Sequence, residues 1–164
     1  MKTLILYTTT YGLTKTMAEK LAEKITGDVD CINLMNQTQV DLKAYKHLIF
    51  GGSIYMGQIQ KKMKQFCTEN EREILEHPVS LFLCCGVNEN FKTNLENAFP
   101  KRIIDHSKNK VSFGGLLNTD QMKFMHKTIT KLMVKSSEKE GKALPKPNLD
   151  AIEGLAETLN ADIA

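Results

Sequence analysis

The chain has 164 residues, 41% hydrophobic and 25% charged, the size and composition of one ordinary globular domain. A chain of this length buries about 70% of its unfolded surface, so neither disulfides nor structural metals are required for a core. The balance of 22 Lys and Arg against 19 Asp and Glu leaves a net charge of +3, too weak for a nucleic-acid footprint and opposite in sign to a strongly acidic protein.

In chain order, Thr3 to Tyr7 reads as a continuous apolar strand, followed by a polar, Gly-containing turn and a helix with Met17, Leu21, Ala22 and Ile25 on one face. Val29 to Leu34 forms a second strand, and His47 to Phe50, opening into Gly51-Gly52, a third. The spacing predicts a helix from Ile59 with Met63, Phe66 and Cys67 inward, running toward Ile74 and Leu75. Val79 to Cys85 is a fourth strand, and Val111 to Phe113, entering Gly114-Gly115, a fifth. A helix over Asp120 to Lys135, a Pro-broken loop with Pro145 and Pro147, and a closing helix over Leu149 to Leu159 complete the chain.

Strands that are apolar throughout, separated by helix-length segments, indicate a parallel sheet covered on both faces. The expected architecture is a three-layer α/β sandwich with a five-stranded parallel sheet of order 2-1-3-4-5 and helices on both sides. One domain over residues 1–164 accounts for every segment. The four cysteines, at 31, 67, 84 and 85, form no CxxC and no Cys/His zinc spacing, which predicts no metal and a reducing, cytoplasmic compartment. The N-terminus has no signal-peptide pattern, and no apolar run approaches the roughly 18 residues of a spanning helix, so any membrane contact is expected to be peripheral.

Open parallel sheets bind ligands beyond the carboxyl ends of their strands. The first such loop, Thr8-Thr9-Thr10-Tyr11-Gly12-Leu13-Thr14, is rich in hydroxyls and leads into a helix, where free N–H groups and the positive dipole end favour an anion such as a phosphate monoester. Helix capping by the same hydroxyls is the competing reading. The loop has no GxGxxG, against a dinucleotide, and no GK[ST], against a triphosphate P-loop. Cys67 and Arg72 stand one residue too close for a cysteine phosphatase loop. After the third strand, Gly51-Gly52-Ser53-Ile54-Tyr55-Met56-Gly57 combines backbone freedom with aromatic and polarizable side chains. After the fourth, Cys85-Gly86-Val87-Asn88-Glu89-Asn90-Phe91 adds a glycine turn and polar groups. A phosphate cradle followed by planar-ring contacts describes a flavin mononucleotide (FMN) site, while packed aromatics remain the plain alternative for Tyr55 and Phe91.

The run LYTTTYGLTKTMAEKLA resembles the FMN-phosphate signature of the flavodoxin family. The resemblance implies that Thr9, Thr10, Gly12 and Thr14 take the phosphate-binding positions, with Tyr11 and Leu13 contributing backbone. It places Ser53, Ile54, Tyr55, Met56 and Gly57, then Cys85, Gly86, Val87 and Asn88, around the isoalloxazine. Within the flavodoxin-like proteins, TTTYGLT, FGGSIYMGQIQKKMKQF and FGGLLNTDQMKFMHKTITKLMVKSS resemble the menaquinone-dependent protoporphyrinogen oxidases. That resemblance implies a two-electron dehydrogenation of a porphyrinogen, with electrons passed through FMN to a quinone. The stretch from Gly86 to Lys110 is shorter than that family's basic insertion and holds Glu89, Glu96 and Asp105 among its cations.

Two other functional classes stand beside this one: a flavodoxin-type electron carrier with no organic substrate, serving a redox partner, and a flavodoxin-fold interaction protein without cofactor. Lys123, Lys127, Lys131, Lys135 and Lys139 recur every four residues. They form either a solvated lysine face or a basic ridge for anionic lipid at the inner face of a membrane or for a carboxylated porphyrinogen. No catalytic acid or base is identified; His106 and His126 are candidates by residue type alone.

Overall fold

The computed structural model of the chain describes residues 2–86, 88–115, 135 and 145–163. Its strands are β1 (Lys2–Thr8), β2 (Asp28–Asn33), β3 (His47–Ser53), β4 (Val79–Cys84) and β5 (Asn109–Ser112). They form one five-stranded sheet of order β2-β1-β3-β4-β5 with all neighbours parallel, the topology expected from the sequence. The helices are α1 (Leu13–Lys24), α2 (Lys61–Glu69), α3 (Glu71–Ile74), α4 (Phe91–Ala98), α5 (Lys101–His106) and α6 (Leu149–Ile163).

Side chains alternate between the faces of a strand, so strands covered on both sides must be apolar at every position. Leu4 and Leu6 of β1, Leu48 and Phe50 of β3, and Leu81 and Leu83 of β4 share one core with Met63 and Phe66 of α2, Leu95 of α4 and Ile103 of α5. Their neighbours Ile5, Tyr7, Ile49 and Phe82 enter the second core, closed by Met17 and Leu21 of α1 and Ile152, Leu155 and Leu159 of α6. Edge strand β2 is only half-buried, and its Asp30 carboxylate meets the Lys2 ammonium at 2.8 Å and accepts from the Tyr45 hydroxyl at 2.6 Å. Charge on an edge strand discourages pairing with another chain.

Several boundaries differ from the sequence reading. The helix expected from Ile59 to Leu75 is two helices, because the chain turns at Asn70, whose backbone N–H and side-chain amide both donate to the Phe66 carbonyl, at 3.0 and 2.9 Å. The fifth strand starts two residues before Val111 and ends one before Phe113, and α6 runs on past Leu159. Helices α4 and α5, which no hydrophobic period in the sequence predicts, occupy the stretch between β4 and β5 and are separated by Pro100. The helix expected over Asp120 to Lys135, with its lysine ridge, lies outside the described residues apart from Lys135. Among the described residues no helix is long and apolar enough to cross a membrane.

Candidate functional site

Parallel pairing brings the carboxyl ends of the central strands to one level. Thr8 stands beside Gly52, and Ser53 beside Cys84. The loops predicted to carry the chemistry therefore leave the sheet side by side.

The first loop folds back on itself through the Gly12 N–H, which donates to Thr9 Oγ1 at 3.0 Å. Gly12 then starts α1 from the left-handed region, φ 87°, which glycine enters without steric cost. The first turn of α1 has neither a side-chain cap nor an acidic residue, so the positive end of the helix dipole faces the loop unneutralised. Leu13 packs against the α1-side core. Thr14 is fully buried, and its hydroxyl makes no well-formed hydrogen bond to a described residue. The polar group alongside is the Cys84 thiol, a weak partner that leaves the Thr14 O–H without a strong acceptor. Thr9 is half-buried and Thr10 exposed, completing a hydroxyl rim around an uncapped helix N-terminus.

The loop after β3 is tied to the first loop by a residue that sequence reasoning missed. Gln60 accepts a hydrogen bond from the Thr8 hydroxyl at 2.7 Å, and its amide nitrogen donates to Thr10 Oγ1 at 2.8 Å and Ser53 Oγ at 2.6 Å. These partners lie up to 52 positions away, so no local pattern could reveal them. The two glycines before Ser53, read from sequence as backbone access for a flat ligand, are also required by the protein's own packing. A Cβ on Gly51 would lie 2.1 Å from the Phe82 ring, and one on Gly52 would lie 2.6 Å from Ile59 Cδ1 and 2.9 Å from Thr8 Oγ1.

Beyond Ser53, the Ile54 N–H donates to the Cys84 carbonyl at 2.9 Å and its side chain packs on the core. Tyr55 and Gln58 exchange both backbone hydrogen bonds, at 2.9 and 3.0 Å, closing a tight turn. Its central residues Met56 and Gly57 both take positive φ, 49° and 74°, the signature of a primed turn. Met56 at the apex is 68% exposed, an unusual position for a large apolar side chain. Burial pushes the Tyr55 phenol pKa up, and the nearby Tyr11 phenol adds to the shift.

After β4, Cys85 turns its side chain into the core, with its thiol 3.5 Å from Ser112 Oγ. Gly86 is exposed, and its backbone packs so closely on Gly115 that a Cβ there would come within 2.6 Å of the Gly86 Cα. A Cβ on Gly86 would lie 3.1 Å from Pro145 Cγ. Val87 lies outside the described residues, Asn88 opens a short 3-10 turn, and Phe91 begins α4 packed on the core. The cysteines are free and poorly ionisable: burial pushes the Cys84 thiol up to about 12, Cys31 up to about 11, and Cys67 and Cys85 upward as well. Such thiols are inert as nucleophiles at neutral pH.

The described histidines stand at the opposite edge of the sheet, where the strands begin. His47 opens β3, while His106 ends α5 before β5 and its ring Nε2 lies 2.8 Å from the carbonyl of His77, just ahead of β4. His126 lies outside the described residues.

Comparison with known proteins matches this arrangement of strands and loops. No curated protein matches the sequence significantly. Among solved structures, the flavodoxin of Streptococcus pneumoniae TIGR4 superimposes with a TM-score of 0.57 at 14% identity, over 99% of each chain. The rubredoxin oxygen:oxidoreductase of Desulfovibrio gigas superimposes with a TM-score of 0.50 at 14% identity, covering 99% of this chain. This chain spans only 37% of that larger protein. A Fusobacterium nucleatum flavodoxin, in a structure with flavin mononucleotide bound, gives a TM-score of 0.47 at 15% identity over 67% of this chain and 68% of its own. At these identities the likeness is one of fold. The family model described as Flavodoxin domain, however, matches residues 4–143, which span the three loops of the site, and the chain belongs to that family.

Proposed function

We propose that this chain binds FMN across the loops after β1, β3 and β4 and works as an electron-transfer flavoprotein. The observation that carries the reading is the uncapped N-terminus of α1, with the buried Thr14 hydroxyl lacking a strong acceptor and the Thr9 and Thr10 hydroxyls at its rim. A phosphate monoester supplies the missing acceptors and the charge that the helix end favours. Family membership supports the same cofactor. In this reading Thr9, Thr10, Thr14 and the backbone of Tyr11, Gly12 and Leu13 hold the phosphate. Tyr55 and Met56 flank the ring, and the backbone of the Cys85–Asn88 loop borders it. Bound FMN supplies reversible one- and two-electron transfer, and the protein supplies binding and orientation. The exposed Met56 offers an apolar contact for a redox partner beside the ring loop.

The test is an absorption titration of the purified chain with FMN. Hydrogen bonds to a charged group contribute about 1.5–3 kcal/mol each, so replacing Thr9 and Thr14 together with Val should weaken FMN binding by about a hundredfold or more. Wild-type protein that cannot be loaded with FMN would leave the cofactor-less interaction protein as the reading.

A second reading within the same chemistry is dehydrogenation of a porphyrinogen with a quinone as acceptor. It rests on the three-segment resemblance, whose late lysine-rich stretch would provide the contact with anionic lipid or porphyrinogen carboxylates. The match to the flavodoxin domain supports electron transfer and does not extend to a porphyrinogen substrate, so the carrier reading is the better supported. Turnover of a porphyrinogen with menaquinone by the FMN-loaded protein would reverse that order. Sedimentation with anionic vesicles tests the lipid contact.

A further inference from the structure

We propose that Gln60 is a positioning residue that sets the phosphate end of the site and lets the protein choose FMN over riboflavin. The proposal rests on the FMN reading above and adds a residue to it. Gln60 precedes α2 at the N-cap position, yet its side chain makes no cap hydrogen bond to its own helix. The carboxamide is committed across the mouth of the sheet instead, to Thr8 at the end of β1, Thr10 in the first loop and Ser53 at the end of β3.

The direction of these bonds matters. An amide N–H can only donate, so Thr10 Oγ1 and Ser53 Oγ must act as acceptors toward Gln60. Each of those hydroxyls therefore keeps its own hydrogen for another oxygen. The Thr8 hydroxyl donates to Gln60 Oε1, which anchors the other end of the amide in the buried end of β1. One side chain thus turns two neighbouring hydroxyls into outward donors beside the uncapped α1 N-terminus, the polarity an anion needs. It also holds Thr10 of the first loop to Ser53 at the end of β3, so the phosphate end of the ligand meets a prearranged surface.

Riboflavin has the same ring and no phosphate, so the ratio of FMN to riboflavin affinity isolates the phosphate end. Gln60→Leu removes the orienting amide, and should lower FMN affinity about tenfold while leaving riboflavin within about twofold. Gln60→Glu has the same shape but offers only acceptors. It would draw the Thr10 and Ser53 hydrogens inward and set a negative charge beside the phosphate, for a loss in FMN affinity of about a hundredfold with riboflavin again little changed. Because Glu is isosteric with Gln, this second variant keeps the test valid if the Leu variant fails to fold. A merely structural role would weaken both ligands equally. If the wild type binds FMN and the ratio is unchanged in the variants that fold, the assignment of Gln60 is overturned while the FMN reading stands. If the wild type binds neither FMN nor riboflavin, the functional reading itself falls and takes this assignment with it.

Discussion

At the scale of single residues, the glycines of the candidate site show that one residue type answers different demands. Gly51 has ordinary strand geometry and is fixed by space, since a Cβ would enter the Phe82 ring, itself stacked on Phe113 with centroids 4.6 Å apart. Gly12 is fixed by backbone, at φ 87° with nothing within 4 Å of its absent side chain. Gly51→Ala should therefore cost about 3 kcal/mol, because two rings and a central strand must shift together. Gly12→Ala should cost only about 1 kcal/mol of left-handed strain. Urea denaturation of the two variants measures the difference directly, and equal losses would contradict this division. The same logic shows the limit of Gly51-Gly52 as a signal: a pair of glycines in a sequence does not say whether a ligand or the protein's own aromatic ring approaches.

Among the elements, α6 closes the second core and is fastened to α1 at the surface by two kinds of contact. Asn160 accepts a hydrogen bond from the Thr26 N–H at 2.7 Å and donates to the Lys24 carbonyl at 2.9 Å, so it satisfies backbone groups where α1 ends. The Lys24 ammonium meets Glu153 at 2.9 Å, with both side chains largely exposed. Asn160→Ala should lower stability by about 1–2 kcal/mol, whereas Glu153→Ala should fall within about 0.5 kcal/mol of wild type, because exposed ion pairs contribute little. Thermal melts at matched salt distinguish them. These helices and the central strands were legible in the sequence, because the long α1 and α6 carry several buried positions at helical spacing and the strands are apolar at every step. Helices α4 and α5 were not: they are 8 and 6 residues long, divided by Pro100, with too few buried positions for a period to register. The break at Asn70 depends on a side-chain amide turning back on Phe66, which composition does not announce. In the site, the loops could be found from strand order and hydroxyl content. Gln60 could not, because its partners become neighbours only once β1 and β3 have paired.

Across the whole molecule, the two edges of the sheet have different tasks. The carboxyl edge gathers the hydroxyl loops of the candidate site, while the amino edge is joined by a buried polar bridge. His47 at the start of β3 lies 3.1 Å from Ser80 Oγ in β4, and Asn109 at the start of β5 donates to the same oxygen at 3.1 Å. With Asn109 donating, the Ser80 hydroxyl is free to donate to His47 Nε2, which suits a neutral imidazole. Burial, the dominant cause, holds the His47 pKa down to about 4; nearby Lys108 also lowers it and Asp162 opposes the shift. The unfolded chain takes up this proton near pH 6.5, whereas the native state resists it until about pH 4. The stability contribution of a neutral His47 is therefore complete above pH 6.5 and declines as pH falls from there to about 4, by about 1.4 kcal/mol per unit where the slope is full and on the order of 3 kcal/mol in all. Asp30, held below its ordinary range chiefly by its hydrogen bond from Lys2, loses its contribution at lower pH, below the carboxylate value of 3.8, so the two windows separate. His47→Gln retains a polar partner for Ser80 without an imidazole to titrate. Urea midpoints measured between pH 7.5 and 4.5 should fall more steeply for the wild type than for His47→Gln, and parallel profiles would show that this histidine does not set the acid response of the fold.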